Sequence, residues 1–365
     1  MDIFLSSEKS SKELGRYISS VVIPVLPLLI GNCIFSLLLW MMEAVRLSIT
    51  APFVYQILEL LNSEIYFVLP FLIGASACRR LEVKVLPGLI LVATLLEPPL
   101  REMAISLSLI LKDPQVITGM QLAILPLLLV IYLYSKITSW LEKISKLYYV
   151  KKWMPYISMV IVAVLVRFII YPIGNFLDNL LSVGILFIFL SLPVCGSMVL
   201  GLLSPLLHLC GFLFGGFPVT IASLQIDEVG YLLGPGLLAA CVCQGTAAIY
   251  YALKEKEVSL RRRDLVCGIL GFVAFLTPVL LVVNVRDKKL LASGMMGGFF
   301  SGLYYGIFQV VRFTNTLHLL IGLVLGIVVT IGCIQVLQPV FDSEGMLLLG
   351  EEETLTNQVQ QYRIK

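Results

Sequence analysis

Apolar runs of about 20 residues follow one another along nearly the whole chain, separated by short polar breaks. Such a run is what an α-helix needs to cross a hydrocarbon core about 30 Å thick. We read spans at 17–41, 52–78, 85–111, 116–135, 156–174, 180–203, 205–224, 230–253, 264–285, 290–312 and 316–337. Pro24, Pro27, Pro70, Pro98, Pro99, Pro172, Pro218 and Pro278 fall inside them. A proline in a span frees backbone groups that neighbouring protein or cavity water must satisfy. Broken helices of this kind are common where half-helix ends face a substrate, and packing kinks are the plainer explanation. Gly234-Pro235-Gly236 reads as a turn or half-helix break.

Charge orders these spans. Most of the 26 lysines and arginines fall in clusters at Lys9–Arg16, Arg79–Lys84, Lys136–Lys152, Lys254–Arg263, Arg286–Lys289 and the C-terminal end. Cytoplasmic loops carry such an excess. An N-terminus inside, with two crossings between successive clusters, satisfies the first four. The fifth conflicts, because a single crossing at 264–285 places Arg286, Lys288 and Lys289 outside. A re-entrant hairpin over this segment, with Thr277-Pro278 near its tip, removes the conflict. The expected fold is therefore an all-α polytopic membrane protein with about ten transmembrane helices plus one re-entrant hairpin, both termini cytoplasmic. Residues 1–341 form the membrane domain and 342–365 a polar tail. Residues 138–153 place Trp140, Ile144, Leu147 and Tyr148 on one helical face, the pattern of an interfacial amphipathic helix.

Composition agrees. Hydrophobic residues are 59% and charged residues 13% of 365 positions, with a mean hydropathy of +0.97. A soluble domain has about 25% charged residues. A net charge of +3 is too small to suggest nucleic acid as a partner. The eight cysteines lie mostly in apolar runs, without a C-x-x-C pair, and read as small packing residues. The first apolar run has no small-residue cleavage site after it and reads as a retained span. No metal-ligand spacing, P-loop, nucleophile elbow or dinucleotide fingerprint occurs, so no metal or cofactor is expected.

Several segments resemble the membrane-embedded IIC (EIIC) subunit of the bacterial sugar phosphotransferase system, glucose superfamily. Leu69-Pro70 to Ala75-Ser76-Ala77-Cys78-Arg79-Arg80-Leu81 is similar to the family's L-P-I-L-L-A-Y-S-A-A-K-K-F, and continues to Leu96-Glu97-Pro98, where the family usually has His before Pro. Ile23-Pro24-Val25-Leu26-Pro27 is similar to the family's first span. Gly211-Phe212-Leu213-Phe214-Gly215-Gly216-Phe217-Pro218 resembles G-L-H-W-G-x-x-P. Leu276-Thr277-Pro278 through Val283-Asn284 resembles T-E-P-A-I-F-G-V-N. Gln244-Gly245-Thr246 resembles N-x-A-Q-G.

The resemblance implies a sugar site containing Thr277, Pro278, Asn284, Gln244, Leu213 and Phe214. It also implies a homodimer in the lipid of a bacterial cytoplasmic membrane. The function implied is translocation of a sugar coupled to its phosphorylation. No IIB-type C-x-T-R cysteine and no IIA-like histidine domain occurs, so separate IIA and IIB subunits would supply the phosphoryl group. The departures matter: Thr277 stands where the family has its acid, Leu213 where it has its histidine, and Phe214 replaces Trp. A hydrogen bond to a charged group contributes about 1.5–3 kcal/mol and a neutral one about 0.5–1.5, so the loss of the acid weakens sugar binding by roughly 1–2 kcal/mol. It also removes a base for the sugar hydroxyl, which leaves enzymatic phosphotransfer open.

Other polar residues complete the candidates. Glu97 either replaces the lost acid in a polar cavity or is solvated in an external loop with Arg101 and Glu102. Arg167 reads as a snorkelling structural arginine. His208 and His318 read as interhelical hydrogen-bonding groups. Gly294, Gly297 and Gly298 permit close helix packing. Arg261, Arg262 and Arg263 read as topology determinants or a docking patch for an acidic partner. Two rival functions remain beside the permease: a transporter that no longer uses phosphotransfer, and a non-transporting sensor on a degenerate permease scaffold.

Overall fold

The computed structural model describes residues 14–44, 52–96, 124–144, 148–170, 193–210, 227–308, 310 and 316–337, with isolated positions 173, 187 and 191. The described residues are helical or in short turns between helices. They form α1 (14–22), α2 (Leu26–Ala44), α3 (Pro52–Arg80), α4 (Val85–Leu96), α5 (Ile124–Ile144) and α6 (Tyr148–Leu165). α7 (Pro193–Cys210), α8 (Asp227–Lys254), α9 (Val258–Phe272), α10 (Lys288–Ile307) and α11 (316–337) follow. Five segments in the described residues are long and apolar enough to cross a membrane: Leu14–Leu39, Phe53–Arg80, Lys152–Ile170, Pro235–Lys254 and Thr316–Leu337. Shorter apolar helices accompany them at Val85–Leu96, Cys195–Leu209 and Leu276–Arg286. The chain is thus an all-α polytopic membrane protein. Glu97, Leu213, Phe214 and the tail 342–365 lie outside the described residues.

The segment after α8 doubles back. α9 ends in a Schellman turn: Phe275 N–H donates to Leu270 O at 3.0 Å and Ala274 N–H to Gly271 O at 3.2 Å. Ala274 adopts the left-handed φ of 66° that this motif requires. The chain returns as Leu276–Arg286, a short helical turn, a π-helical stretch at Val279–Val283 and a 3-10 turn at Asn284–Arg286. Pro278 has no N–H to give to the carbonyl of Ala274, and Cys241 Sγ lies 3.7 Å from that oxygen instead. Arg286 pairs with Asp264, so the two feet of the hairpin meet. This is the hairpin geometry that the misplaced basic cluster implied. Its first arm begins earlier than expected, at Val258, and the reversal lies at 273–275, just before Thr277.

The return arm is enclosed by the described helices. Val279, Leu280, Leu281, Val282 and Val283 are all buried, in a core with Ile18, Val21, Leu29, Leu69, Ile73, Cys267 and Ala248. An arm buried on every side needs no amphipathic period, which explains its continuous run of apolar residues. Ser19 Oγ donates to Val282 O at 3.0 Å, satisfying a carbonyl of the irregular stretch.

Small residues set the helix crossings. A Cβ on Gly298 would strike the backbone of Gly201, one on Gly201 the backbone of Gly298, and one on Gly302 the backbone of Ser197. α7 and α10 therefore cross backbone to backbone, the small-xxx-small arrangement of membrane helices. Gly297 meets Gly326 and Thr330 of α11, and Gly294 meets the side chain of Gln244. Ser301 Oγ donates to Gly322 O at 2.6 Å across the α10–α11 contact.

Three expectations are corrected. Residues 138–153 are not one amphipathic helix. Residues 138–144 continue α5 and 148–153 open α6, and the two helices pack antiparallel with Thr138 Oγ1 and Ser158 Oγ 2.6 Å apart. The apolar runs on both sides extend as helices, and the chain reverses between them. Residues 203–205 are not a break between spans, because α7 runs through Pro205. Gly234-Pro235-Gly236 is not a turn either, because α8 is continuous over it. Pro70 is likewise carried inside α3, whereas Pro24 lies in a 3-10 turn and Pro278 marks a real change of helix type.

Candidate functional site

Four of the sequence-derived site residues fall on or against the return arm. Thr277 stands at its head, half-buried, directly after the reversal, with Pro278 buried behind it. Its hydroxyl lies 2.8 Å from Nε2 of His208, which α7 brings in from 69 positions away. His208 is buried near the end of an apolar helix. A polar group there must be hydrogen-bonded or it destabilises the fold.

The foot of the arm holds a second polar pair. Asn284 and Gln244 are both fully buried. Asn284 Nδ2 donates to Gln244 Oε1 at 2.6 Å and to Gln244 O at 3.0 Å. Gln244 Nε2 donates to Leu291 O at 3.0 Å, tying α8 to α10. Asn284 Oδ1 has no hydrogen-bond partner among the described residues. Buried polar groups rarely stay in that state. Gly294 is glycine for this pair, since a Cβ there would stand 2.6 Å from Gln244 Cδ.

Below the pair lies an ionic cluster that the sequence reading missed. Asp264 has no exposed side-chain surface. It accepts from Arg286, and Arg263 approaches it at 2.9 Å. Arg286 also lies over the Tyr251 ring at 5.5 Å, and Asp287 caps α10 by accepting from Lys289 N at 2.9 Å. Arg263, grouped in the sequence with Arg261 and Arg262, belongs to this cluster, while its two neighbours are exposed. The one available signal was an aspartate at the start of an apolar segment.

The remaining candidates separate from the arm. His318 bonds to Tyr304 OH at 2.9 Å and stacks on Phe308, so it fastens α11 to α10. Arg167 is exposed in a π-helical turn after α6. No group of three or more metal-ligating side chains occurs among the described residues. The hydrogen-bonding groups that the arm brings together are neutral: a hydroxyl, an imidazole and two amides. Thr277 has no carboxylate, and its hydroxyl alone is too weak a base for proton removal near neutral pH.

No protein-family model matches the chain. Among curated proteins it is similar to the sucrose-specific EIIBC component of a PTS system of Bacillus subtilis (strain 168), 24% identical over 338 residues, covering 86% of this chain and 73% of that one. It is 22% identical over 293 residues to the arbutin-, cellobiose-, and salicin-specific EIIBC component of Escherichia coli (strain K12), covering 78% of this chain and 60% of the relative. It is 26% identical over 318 residues to the glucose-specific EIIBCA component of Corynebacterium glutamicum, covering 81% of this chain and 45% of the relative.

Proposed function

We infer that this chain, a divergent EIIC-like membrane domain of the bacterial sugar phosphotransferase system, is the permease part of such a system and carries a sugar across the cytoplasmic membrane. The observation that carries the reading is the return arm. It is an irregular helix enclosed by the core, with a hydroxyl–imidazole pair at its head and an amide pair with an unpartnered acceptor at its foot. Irregular backbone deep in a membrane protein is tolerated only where protein or a cavity surrounds it, and it is where transporters place substrates. The relatives' names make a glucoside the first sugar class to test. Phosphorylation would come from IIA and IIB functions, the parts that the relatives' names join to their IIC part. Glu97, Leu213 and Phe214 belong to the proposed site by resemblance, and a homodimer is the proposed assembly.

Sugar binding by the purified protein is the test. Radiolabelled sucrose, trehalose, cellobiose, salicin and glucose are titrated in detergent and in nanodiscs. Saturable binding of at least one is expected. Absence of binding by monodisperse, folded protein would sink the permease reading and favour a non-transporting sensor. The absence of an acid at Thr277 favours one second reading, transport without phosphotransfer.

Orientation is a separate proposal. The hairpin opens to the cytoplasm, because its feet carry Arg263, Arg286, Lys288 and Lys289. Lys288 is exposed. Lys288→Cys is therefore expected to resist an impermeant thiol reagent in intact cells and to react after the membrane is opened. Ready labelling from outside would overturn the orientation.

A further inference from the structure

The hydrogen bond between His208 and Thr277 takes its direction from the tautomer of the imidazole. A threonine hydroxyl has one proton and two acceptor lone pairs. A neutral imidazole with its proton on Nδ1 offers Nε2 only as an acceptor. In that tautomer the single proton of Thr277 is committed to His208, and the oxygen of Thr277 presents lone pairs alone to anything on its open side. The exposures fit this division of labour. His208 is 5% exposed, whereas Thr277 keeps a reachable face. His208 lies between Leu207 and Leu209 on α7 and reaches the hairpin at this hydroxyl.

We propose that His208 and Thr277 act as one acceptor unit for a sugar hydroxyl, His208 being the positioning residue that orients Thr277 as an acceptor. The inference rests on the sugar-binding reading above and adds a residue to it. Every sugar hydroxyl can donate, so a sugar site needs fixed acceptors. A lone threonine would rotate and serve as donor or acceptor with equal ease. Held by an imidazole whose Nε2 is unprotonated it serves as an acceptor, and a chain of hydrogen bonds strengthens each member.

Four variants test it: Thr277→Val, Thr277→Ser, His208→Leu and the double variant His208→Leu/Thr277→Val. Affinity for the same radiolabelled sugars and the melting temperature are measured on each. Thr277→Val and His208→Leu are each expected to weaken binding about three- to tenfold, the loss of one neutral hydrogen bond. Thr277→Ser keeps the hydroxyl and retains wild-type affinity. The double variant binds no worse than Thr277→Val, because without the hydroxyl the histidine has nothing to orient. Unchanged affinity with a lowered melting temperature would make the bond an interhelical fastener and overturn this inference alone. Additive losses in the double variant would overturn it too. If the wild type binds none of the sugars, the permease reading falls and this inference falls with it.

Discussion

Asp264→Leu is expected to abolish accumulation of folded protein. Asp264 is fully buried and accepts from Arg286 and Arg263. Removing it leaves two guanidinium groups, each less than one-fifth exposed, without their acceptor at the feet of the hairpin. Breaking a buried ion pair from one side costs about 3–5 kcal/mol, a large part of the stability of a typical fold. Arg286→Met is expected to be milder, because Arg263 still meets the carboxylate. The double variant Asp264→Leu/Arg286→Met is expected to recover part of the loss, since replacing a buried pair by apolar side chains is often close to neutral. Fluorescence-detected size exclusion and melting in detergent measure all three. An Asp264→Leu protein as monodisperse and as heat-resistant as wild type would show that the hairpin does not depend on this clasp.

Gly298→Val should be comparably damaging by a different route. The crossing of α7 and α10 brings Gly298 and Gly201 together so closely that a Cβ on either meets the other's backbone. A flexible side chain could move aside, but a helix backbone cannot do so without separating the two helices. Overpacking costs about 1–3 kcal/mol where side chains can yield, and backbone contact puts this position at or above the upper end. The effect reaches the site, because α7 carries His208 and α10 carries the carbonyl of Leu291 that holds Gln244. Gly332→Ala is the control, since nothing lies within 4 Å of its Cβ position. Loss of monodisperse protein for Gly298→Val, with Gly332→Ala unchanged, is the expected result. Equal behaviour of the two would contradict the packing account.

The hairpin was legible in the sequence because membrane topology is written in charge. Arg286, Lys288 and Lys289 break the alternation of sides unless the preceding segment turns back. The fully buried run Val279–Val283 was legible as apolar, though not as irregular, because hydropathy does not distinguish a π-helical stretch from an α-helix. Gln244 and Asn284 were each flagged, but their pairing was not, because nothing local in the chain encodes a contact 40 positions long. The same holds for Thr277 and His208. An isolated histidine in an apolar helix signals only that some partner exists, and the fold decides which. Asp264 was overlooked because the arginines beside it dominate the local pattern. The amphipathic reading of 138–153 failed in an instructive way. Trp140 and Ile144 are 61% and 59% exposed, so an apolar face does exist. It belongs to the end of α5, and the reversal before α6 cuts the period.

Accumulation of labelled sugar in membrane vesicles, with and without phosphoenolpyruvate and the soluble phosphocarrier proteins inside, addresses the permease reading most directly. The expected result is uptake that depends on the phosphoryl donor, with the label recovered inside as sugar phosphate. Recovery of unmodified sugar at the same rate with and without the donor would contradict it.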